Sequence, residues 1–340
     1  TITPPANPTK PPPCLPVRRP HPCIPPLTSL LQIQHPILLA PMGSVSGGAL
    51  AAAVSGAGGL GMIGAGYGDA DWLRRELATA GDARIGVGFI TWALAQQPDL
   101  LELALAHGPA AVMFSFGDCR PFLVQVRAAG AKAICQVQTV ADACRAADAG
   151  ADVIVAQGTE AGGHGAERGT FALVPAVVDA VSPLPVVAAG GVADGRGLAA
   201  ALLLGASGVL VGTRFFATEE ALGHPAAKQA IVDAAGDDTV RTRVFDIVRG
   251  YPWPAPYTGR ALRNRFLAAW HGREDELEHA VEAERARYWQ AAAEGDVDTA
   301  VVFAGDAVDC IDAIEPAASV VQRLAAEAER LLKGASDLVG

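Results

Sequence analysis

The sequence has few charged residues and no long apolar run. Charged side chains make up 18% of the 340 residues, and the net charge is −10 at pH 7. No apolar run reaches the roughly 18–20 residues that span a bilayer, and the N-terminal end lacks the basic-then-apolar order of a secretory signal. A negatively charged surface also repels phosphodiester backbones. We therefore expect a cytoplasmic protein that binds neither membranes nor nucleic acid.

Cysteine is scarce and irregularly spaced. None of the six cysteines forms a CxxC pair, and none is spaced from a histidine as zinc ligands are. Scattered cysteines in a chain of this size are typical of reduced thiols in the core or on the surface. We expect reduced thiols and no metal site.

Proline is concentrated at the N-terminal end of the chain. Residues 1–27 are rich in proline, which favours an extended leader because proline provides no backbone donor for a helix or a sheet. The remaining length suits a single (β/α)8 barrel that carries an insertion.

Short and almost wholly apolar runs recur eight times between residues 37 and 213. Parallel strands that are covered on both faces produce such runs rather than an alternating pattern. The runs are Ile37–Pro41, Gly59–Ile63, Arg84–Ile90, Ala110–Phe116, Ala131–Val137, Ala151–Gln157, Pro185–Ala189 and Gly208–Gly212. Helical segments separate them, several of which begin at a capping residue such as Asp69 or end at a glycine such as Gly150.

Eight strands that alternate with helices correspond to the repeat number of the TIM (β/α)8 barrel. An open, doubly wound sheet is the competing architecture, but eight evenly spaced units favour closure. We predict an α/β fold in which residues 28–220 and 306–340 form the barrel. Residues 221–305 are predicted to form a helical lid over the substrate, inserted after strand eight. Aromatic residues of this insertion are candidates for the pocket wall, with packing inside the lid as the alternative role: Tyr251, Trp253, Tyr257 and Tyr288.

Glycine-rich turns follow the predicted strands seven and eight. Gly190 and Gly191 follow strand seven, and Gly212 and Thr213 follow strand eight. TIM barrels bind phosphate in the loops at these two positions, where glycine allows backbone amides to approach the phosphate oxygens. The GxGxxG run over residues 56–61 instead follows a helix and enters a strand, so it does not fit a dinucleotide fingerprint.

Other candidate site residues end the strands at the same rim of the barrel. Ala40, Pro41 and Met42 end strand one, where a flat aromatic ring can rest on the main chain. Gln136 and Gln157 end strands five and six. Because an amide side chain both donates and accepts hydrogen bonds, these residues suit the carbonyl and imide edge of an isoalloxazine.

The run from Gln157 to Gly165, QGTEAGGHG, is the most specific in the chain. It places His164 between two glycines in a loop at the catalytic end of the barrel, seven residues beyond a strand. This setting is unusual for a core histidine. We predict that His164 faces the substrate.

These phrases resemble those of the nitronate monooxygenases, formerly called 2-nitropropane dioxygenases. The resemblance extends from about residue 30 to the C-terminal end and excludes the leader. The shared phrases are Ala40–Met42, Gly58–Gly61, Gln157–Gly165, Ala189–Gly191 and Gly212–Phe215.

The resemblance implies a non-covalently bound FMN, no metal, and oxidation of alkyl nitronates or nitroalkanes by O2 to a carbonyl compound and nitrite. It also implies that His164 is catalytic, either as the base for the α-proton or as a hydrogen-bond partner of the nitro oxygens. The residues implied in FMN binding are Ala40, Pro41, Met42, Gln136, Gln157, Gly162 and Gly163 for the ring and ribityl chain, and Gly190, Gly191, Gly212 and Thr213 for the phosphate.

One position departs from the family pattern. Family members often carry asparagine in a Gly-Val-Asn phrase at the end of strand three, where this chain has Gly86-Val87-Gly88. We therefore expect one polar contact to the flavin or the substrate to be absent.

Two other functions remain open from the sequence. An FMN-dependent enoyl-acyl-carrier-protein reductase shares the barrel and a similar Gly-Gly-His loop but takes its electrons from NAD(P)H; the Ala40–Met42 phrase favours the nitronate enzymes. A flavin-free phosphate-binding barrel of the aldolase type would require a Schiff-base lysine at a strand end, and Lys132 lies at the wrong end of its strand. The natural substrate and the presence of a homo-oligomer are left open.

Overall fold

Eight of the strands follow one another as the eight apolar runs predicted. The computed structural model describes residues 26–335. In chain order its strands are β1 (Ile37–Leu39), β2 (Met62–Gly64), β3 (Gly86–Ile90), β4 (Ala111–Ser115), β5 (Lys132–Val137), β6 (Val153–Gln157), β7 (Gly163–Gly165), β8 (Val186–Ala189), β9 (Gly208–Val211), β10 (Thr239–Thr242) and β11 (Thr258–Leu262). Its helices are α1 (Leu27–Leu31), α2 (Gly48–Gly56), α3 (Ala70–Ala80), α4 (Thr91–Leu94), α5 (Asp99–Ala106), α6 (Arg120–Ala128), α7 (Val140–Ala149), α8 (Thr170–Val181), α9 (Gly195–Leu203), α10 (Thr213–Phe216), α11 (Pro225–Asp233), α12 (Val244–Arg249), α13 (Arg265–Trp270), α14 (Glu274–Glu294) and α15 (Ala317–Lys333).

Eight of the strands close into a barrel. They pair in parallel in the order β1-β9-β8-β6-β5-β4-β3-β2, and Leu38 forms a parallel bridge with Leu60, just before β2. Leu39 N donates to Leu60 O at 2.9 Å, and Leu60 N donates to Ile37 O at 2.9 Å. The two edges of the sheet are thus joined, which confirms the predicted TIM barrel over the open sheet.

The barrel strands are buried on both faces, as their unbroken apolar runs predicted. In β6, Val153 and Val155 pack inside the barrel, while Ile154 and Ala156 pack outward against the surrounding helices. The interior also receives Leu27 from α1, a five-residue helix that the sequence pattern did not predict. It covers the end of the barrel opposite the predicted site.

The insertion contains a small sheet as well as helices. Strands β10, β11 and β7 pair antiparallel in that order, so the insertion that was predicted as a helical lid also contributes two strands, which were not predicted. Its helices pack around a core of their own, formed by Phe245, Phe266 and Tyr288 among others. Because β7 lies in the loop after β6, this sheet joins the insertion directly to the run that carries His164. The division of the chain at residues 221 and 305 stays a prediction.

Several expectations about composition can be compared with the described residues. Between residues 26 and 335, no helix has the length and apolarity needed to cross a membrane. Cys119, Cys135 and Cys310 are free thiols, but Cys144 is disulfide-bonded. The expectation that all six cysteines are reduced is therefore wrong. The predicted leader lies outside the described residues except for its last two positions.

Candidate active site

A deep cavity opens at the carboxyl ends of the barrel strands, beneath the insertion. About 1340 Å³ free of protein atoms lies in it, including space that is open to solvent. Loops from the barrel form one wall, and residues of the insertion, including Arg249 and Trp253, form the other. Every predicted site residue lines this cavity: Ala40, Pro41, Met42, Gln136, Gln157, Gly162, Gly163, His164, Gly190, Gly191, Gly212 and Thr213.

The loop after β8 forms a cradle of main-chain atoms. Gly190 and Gly191 have φ of 99° and 74°, a conformation that favours glycine. A Cβ added at Gly190 would lie 2.9 Å from Ala161 N and 3.1 Å from Gly158 O. In the described part of the chain, the amides of Gly191 and Val192 have no hydrogen-bond acceptor. The turn therefore requires glycine at position 190, and it leaves two amides without acceptors in residues that line the cavity.

Thr213, the first residue of α10, lines the same cavity as this cradle. Its side chain also contacts Gly305, at the C-terminal end of the insertion. Its Oγ1 accepts a hydrogen bond from Gly305 N at 3.0 Å, which leaves the hydroxyl hydrogen available to a ligand. The first amides of a helix have no partner within the helix. The loops after the last two barrel strands thus bring several free donors to one end of the cavity.

The rim formed by β1 has little donor capacity left. Met42 N donates to Ser46 Oγ at 2.5 Å and to Ala40 O at 2.9 Å. Ser46, which the sequence analysis did not single out, also donates its hydroxyl hydrogen within this turn, to Ala40 O or Met42 O. The main chain of Met42 can therefore touch a ring but has no N–H to give it.

The absence of a side chain at position 88 is explained by the contact between Gly88 and Pro41. A Cβ on Gly88 would lie 2.2 Å from Pro41 Cγ and 2.3 Å from Pro41 Cβ. The proline ring of the β1 rim thus fills the space that a side chain at the end of β3 would occupy. The end of β3 therefore offers packing against Pro41 and no polar side chain at position 88.

We expect Gly88→Asn to destabilise the protein by about 1–3 kcal/mol, the usual cost of overpacking a filled core. The asparagine should be tolerated better when Pro41→Gly is made with it, because glycine removes both the Cγ and the Cβ that compete with the new side chain for one space. Thermal unfolding of the two single variants and the double variant measures this coupling. Additive losses in the double variant would contradict the proposed competition.

Three glutamines connect the strand ends to the histidine loop. Gln157 Oε1 accepts from Gln136 Nε2 at 3.1 Å and from Gln138 Nε2 at 2.8 Å, and Gln157 Nε2 donates to His164 O at 3.0 Å. Gln138, which sequence reasoning missed, is buried. Gln157 thus has its oxygen occupied and holds the backbone of His164, whereas Gln136 keeps its own oxygen for a ligand.

His164 lies in a short strand rather than in a free loop. It is the middle residue of β7 and is paired with Gly259 of β11. The imidazole stacks on the indole of Trp253, with ring centroids 3.4 Å apart and planes 6° apart. The ring is therefore fixed on one side by the barrel loop and on the other by the insertion.

His164 forms a buried pair with Asp246 of α12. Its Nε2 lies 2.9 Å from Asp246 Oδ1, and the two side chains are 6% and 7% exposed. Burial lowers the pKa of His164, and the hydrogen bond and negative charge of Asp246 act in the opposite direction. Because a carboxylate only accepts, it favours the tautomer with the proton on Nε2. Nδ1 has no partner among residues 26–335 and carries the lone pair.

Asp246 was not predicted, because nothing local in the sequence connects it to a histidine 82 positions earlier. Its Oδ2 is buried and has no hydrogen-bond partner in the described structure. An unpaired buried carboxylate oxygen increases the demand for the His164 proton. Asp246 thus helps to orient the imidazole and opposes the lowering of its pKa by burial.

An aromatic cluster lies between His164 and the outside. Tyr67 and Tyr251 stack with centroids 3.6 Å apart, and Trp253 Nε1 donates to Tyr67 Oη at 2.9 Å. Burial raises the pKa of Tyr67 to about 12, so this hydroxyl stays protonated. Of the aromatic candidates in the insertion, Trp253 lines the cavity. Tyr288 instead packs in the core of the insertion, which was the alternative role considered for it.

Comparison with known proteins identifies the family of the chain. A family model described as nitronate monooxygenase matches residues 25–86 and 89–327. The chain belongs to the nitronate monooxygenase family. The two residues between the matched parts are 87 and 88, of which Gly88 packs against Pro41. A member of this family is a flavin-dependent oxidoreductase, as the sequence resemblance implied.

Individual relatives match along nearly their whole length. The nitronate monooxygenase npaC of Metarhizium robertsii is 36% identical over 338 residues, with 87% of this chain and 91% of that protein covered. FabK from Thermotoga maritima superposes with a TM-score of 0.81 at 34% identity, covering 92% of this chain and 98% of that one. The nitroalkane oxidase from Streptomyces ansochromogenes superposes with a TM-score of 0.75 at 30% identity, covering 91% and 99%.

Proposed function

We propose that this family member binds FMN and oxidises alkyl nitronates and nitroalkanes with O2 to a carbonyl compound and nitrite. One observation carries the proposal: a buried His164–Asp246 pair with a free Nδ1 borders the same cavity as a cradle of unpaired backbone amides. The pair suits removal of a proton from carbon, and the cradle suits a phosphate.

The chain's own groups fit FMN. The Gly190–Gly191 cradle leaves no room for a Cβ at position 190 and has amides without acceptors at Gly191 and Val192, two residues that line the cavity, as a phosphate monoester requires. Thr213 adds a hydroxyl donor. Towards the other end, Ala40, Pro41 and Gln136 offer main-chain surface and an amide to a flat ring. Bound there, FMN would supply an acceptor for the electrons of the nitronate and a route for them to O2.

His164 takes the α-proton of a nitroalkane in this proposal. Asp246 accepts from Nε2, so the lone pair of Nδ1 is the one free to remove a proton. As the imidazole becomes positively charged, the carboxylate beside it stabilises that charge. Hydrogen bonding of the nitro oxygens, the other role that the resemblance left open for His164, would require a proton on Nδ1. The Nε2 tautomer has none.

The pH dependence tests this role. Activity on a nitroalkane requires neutral His164, so kcat/KM should rise with pH through the lowered pKa of His164 and then reach a plateau. Asp246→Asn removes the influence that raises this pKa, so the rising limb should move to lower pH. The plateau should fall about tenfold, because a weaker base then removes the proton. If the rising limb of the Asp246→Asn profile stays in place or moves to higher pH, Asp246 does not raise the pKa of His164.

Anaerobic mixing tests the function as a whole. A nitronate added to the yellow protein without O2 should bleach the visible flavin absorbance, and admission of O2 should restore it with release of nitrite. NAD(P)H alone should bleach it slowly. Rapid bleaching by NAD(P)H, with no response to nitronate, would favour the enoyl-acyl-carrier-protein reductase instead.

A further inference from the structure

Arg249 places an unpaired positive charge on the wall of the cavity. It is the last residue of α12, one helical turn after Asp246, and it lines the cavity together with His164. Its guanidinium forms no hydrogen bond or ion pair with any residue between 26 and 335, and its Nη1 is buried without a partner. A buried charged donor without an acceptor is costly, which indicates a missing partner.

Aromatic rings surround the Arg249 guanidinium but provide no hydrogen-bond acceptor for its N–H groups. Its Cζ lies 4.7 Å from the ring centroid of Tyr251, 5.6 Å from that of Phe303 and 5.8 Å from that of Tyr67. Cation–π contacts of this kind fix the position of the charge. They leave the N–H donors, which form a planar fork, without acceptors.

The ionisable groups around Arg249 do not neutralise it. Glu160, which also lines the cavity, accepts three hydrogen bonds from Thr170 within 2.9 Å. Asp246 accepts from His164 and forms no ion pair with Arg249. His164 and Tyr67 are neutral in the state described above. The charge on this wall is therefore available to an anion that enters the cavity.

We propose that Arg249 binds the two oxygens of the substrate's nitro group in a bidentate hydrogen bond. The proposal rests on the proposed function, because it assigns the anion to the nitronate. Phe303 lies 5.5 Å from the His164 ring and 5.6 Å from the Arg249 guanidinium, so both groups border the same part of the cavity. A planar two-oxygen anion matches the guanidinium fork.

In this arrangement Arg249 acts on the proton transfer itself. The C–H bond of the α-carbon breaks, the proton moves to His164 Nδ1, and the electron pair moves through carbon and nitrogen onto the nitro oxygens. Negative charge thus develops where the guanidinium donates. Donors aimed at developing charge stabilise the transition state more than the neutral nitroalkane.

Nitrate, a planar oxyanion, is the probe for this site. In calorimetric titrations of the holoenzyme, Arg249→Met and Arg249→Gln should each bind nitrate about 10- to 100-fold more weakly than wild type, as expected for loss of hydrogen bonds to a charged group. Their KM for a nitronate should rise by a similar factor. Arg243→Met is the matched control, because Arg243 precedes the same helix but is exposed and pairs with Glu278 outside the cavity.

The outcomes separate this inference from the proposed function. Nitrate affinity within twofold of wild type in either neutral Arg249 variant would overturn the inference, even if wild type oxidises nitronates. If one variant does not fold, the other is read in the same way. Weakening of nitrate binding by the Arg243 variant to the same extent would also overturn it, because the effect would then be one of net charge. A wild type that binds nitrate through Arg249 but leaves nitronates unoxidised would contradict the proposed function alone.

Discussion

His164→Gln is expected to lose about 10²–10⁴-fold in kcat/KM for nitroalkanes, the usual contribution of a positioned base, while turnover of preformed nitronates changes little. A nitronate has already lost the α-proton, so it does not need the lone pair of Nδ1. Glutamine still offers a polar group to Asp246, which limits the effect on folding. Steady-state rates with a nitroalkane and with its nitronate measure the two reactions, with bound flavin quantified in each sample.

His279→Gln is the control for this comparison. His279 is exposed on α14, where its Nδ1 lies 2.6 Å from Asp275 O, so its replacement should alter neither reaction. Equal losses of nitroalkane and nitronate turnover in His164→Gln would contradict the role of His164 as a base. They would favour a role in binding the nitro group.

Gly190→Ala is expected to weaken FMN binding by about 10- to 100-fold for each phosphate hydrogen bond that is lost. The new Cβ would lie 2.9 Å from Ala161 N, at a φ of 99° that alanine rarely adopts. The turn must shift, and the amides of the cradle shift with it. Flavin content after purification and titration of the apoprotein with FMN measure the effect.

Gly205→Ala provides a control with the same backbone strain in another place. Gly205 has φ of 91° after α9, and a Cβ there would lie 3.2 Å from Val178 Cγ1, away from the cavity. It should cost about 1–3 kcal/mol of stability and leave FMN binding intact. If both variants lost flavin equally, the loss would reflect general instability and would contradict the cradle.

The barrel was predictable because its information is local. Each strand is a short run that is buried on both faces, and each run ends at a turn that glycine or a capping residue marks. The insertion was less predictable. Strands β10 and β11 have only four and five residues. They pair with each other, and β11 also pairs with β7, whose three residues include two glycines. Strands of this length depend on their partners rather than on a pattern of their own.

The candidate site likewise has residues that the sequence predicted and residues that it did not. The loop glycines and His164 follow from their positions after barrel strands, where the fold itself places ligands. Asp246 and Arg249 depend on how the insertion folds over the barrel, which the sequence does not show. The only local signal was two charged residues, three positions apart, in the otherwise apolar α12. The contact between Pro41 and Gly88 could not be predicted from either local sequence, because it joins the ends of two different strands.

The account depends on one spatial relationship, between a bound flavin and a fixed imidazole. A crystal structure of the yellow protein at a resolution that defines the ligand tests it directly. We expect the phosphate within hydrogen-bond distance of the Gly191 amide and the Thr213 hydroxyl, with the ring facing His164 while Nε2 stays on Asp246. A flavin phosphate bound elsewhere, or an imidazole turned away from the ring, would contradict the account.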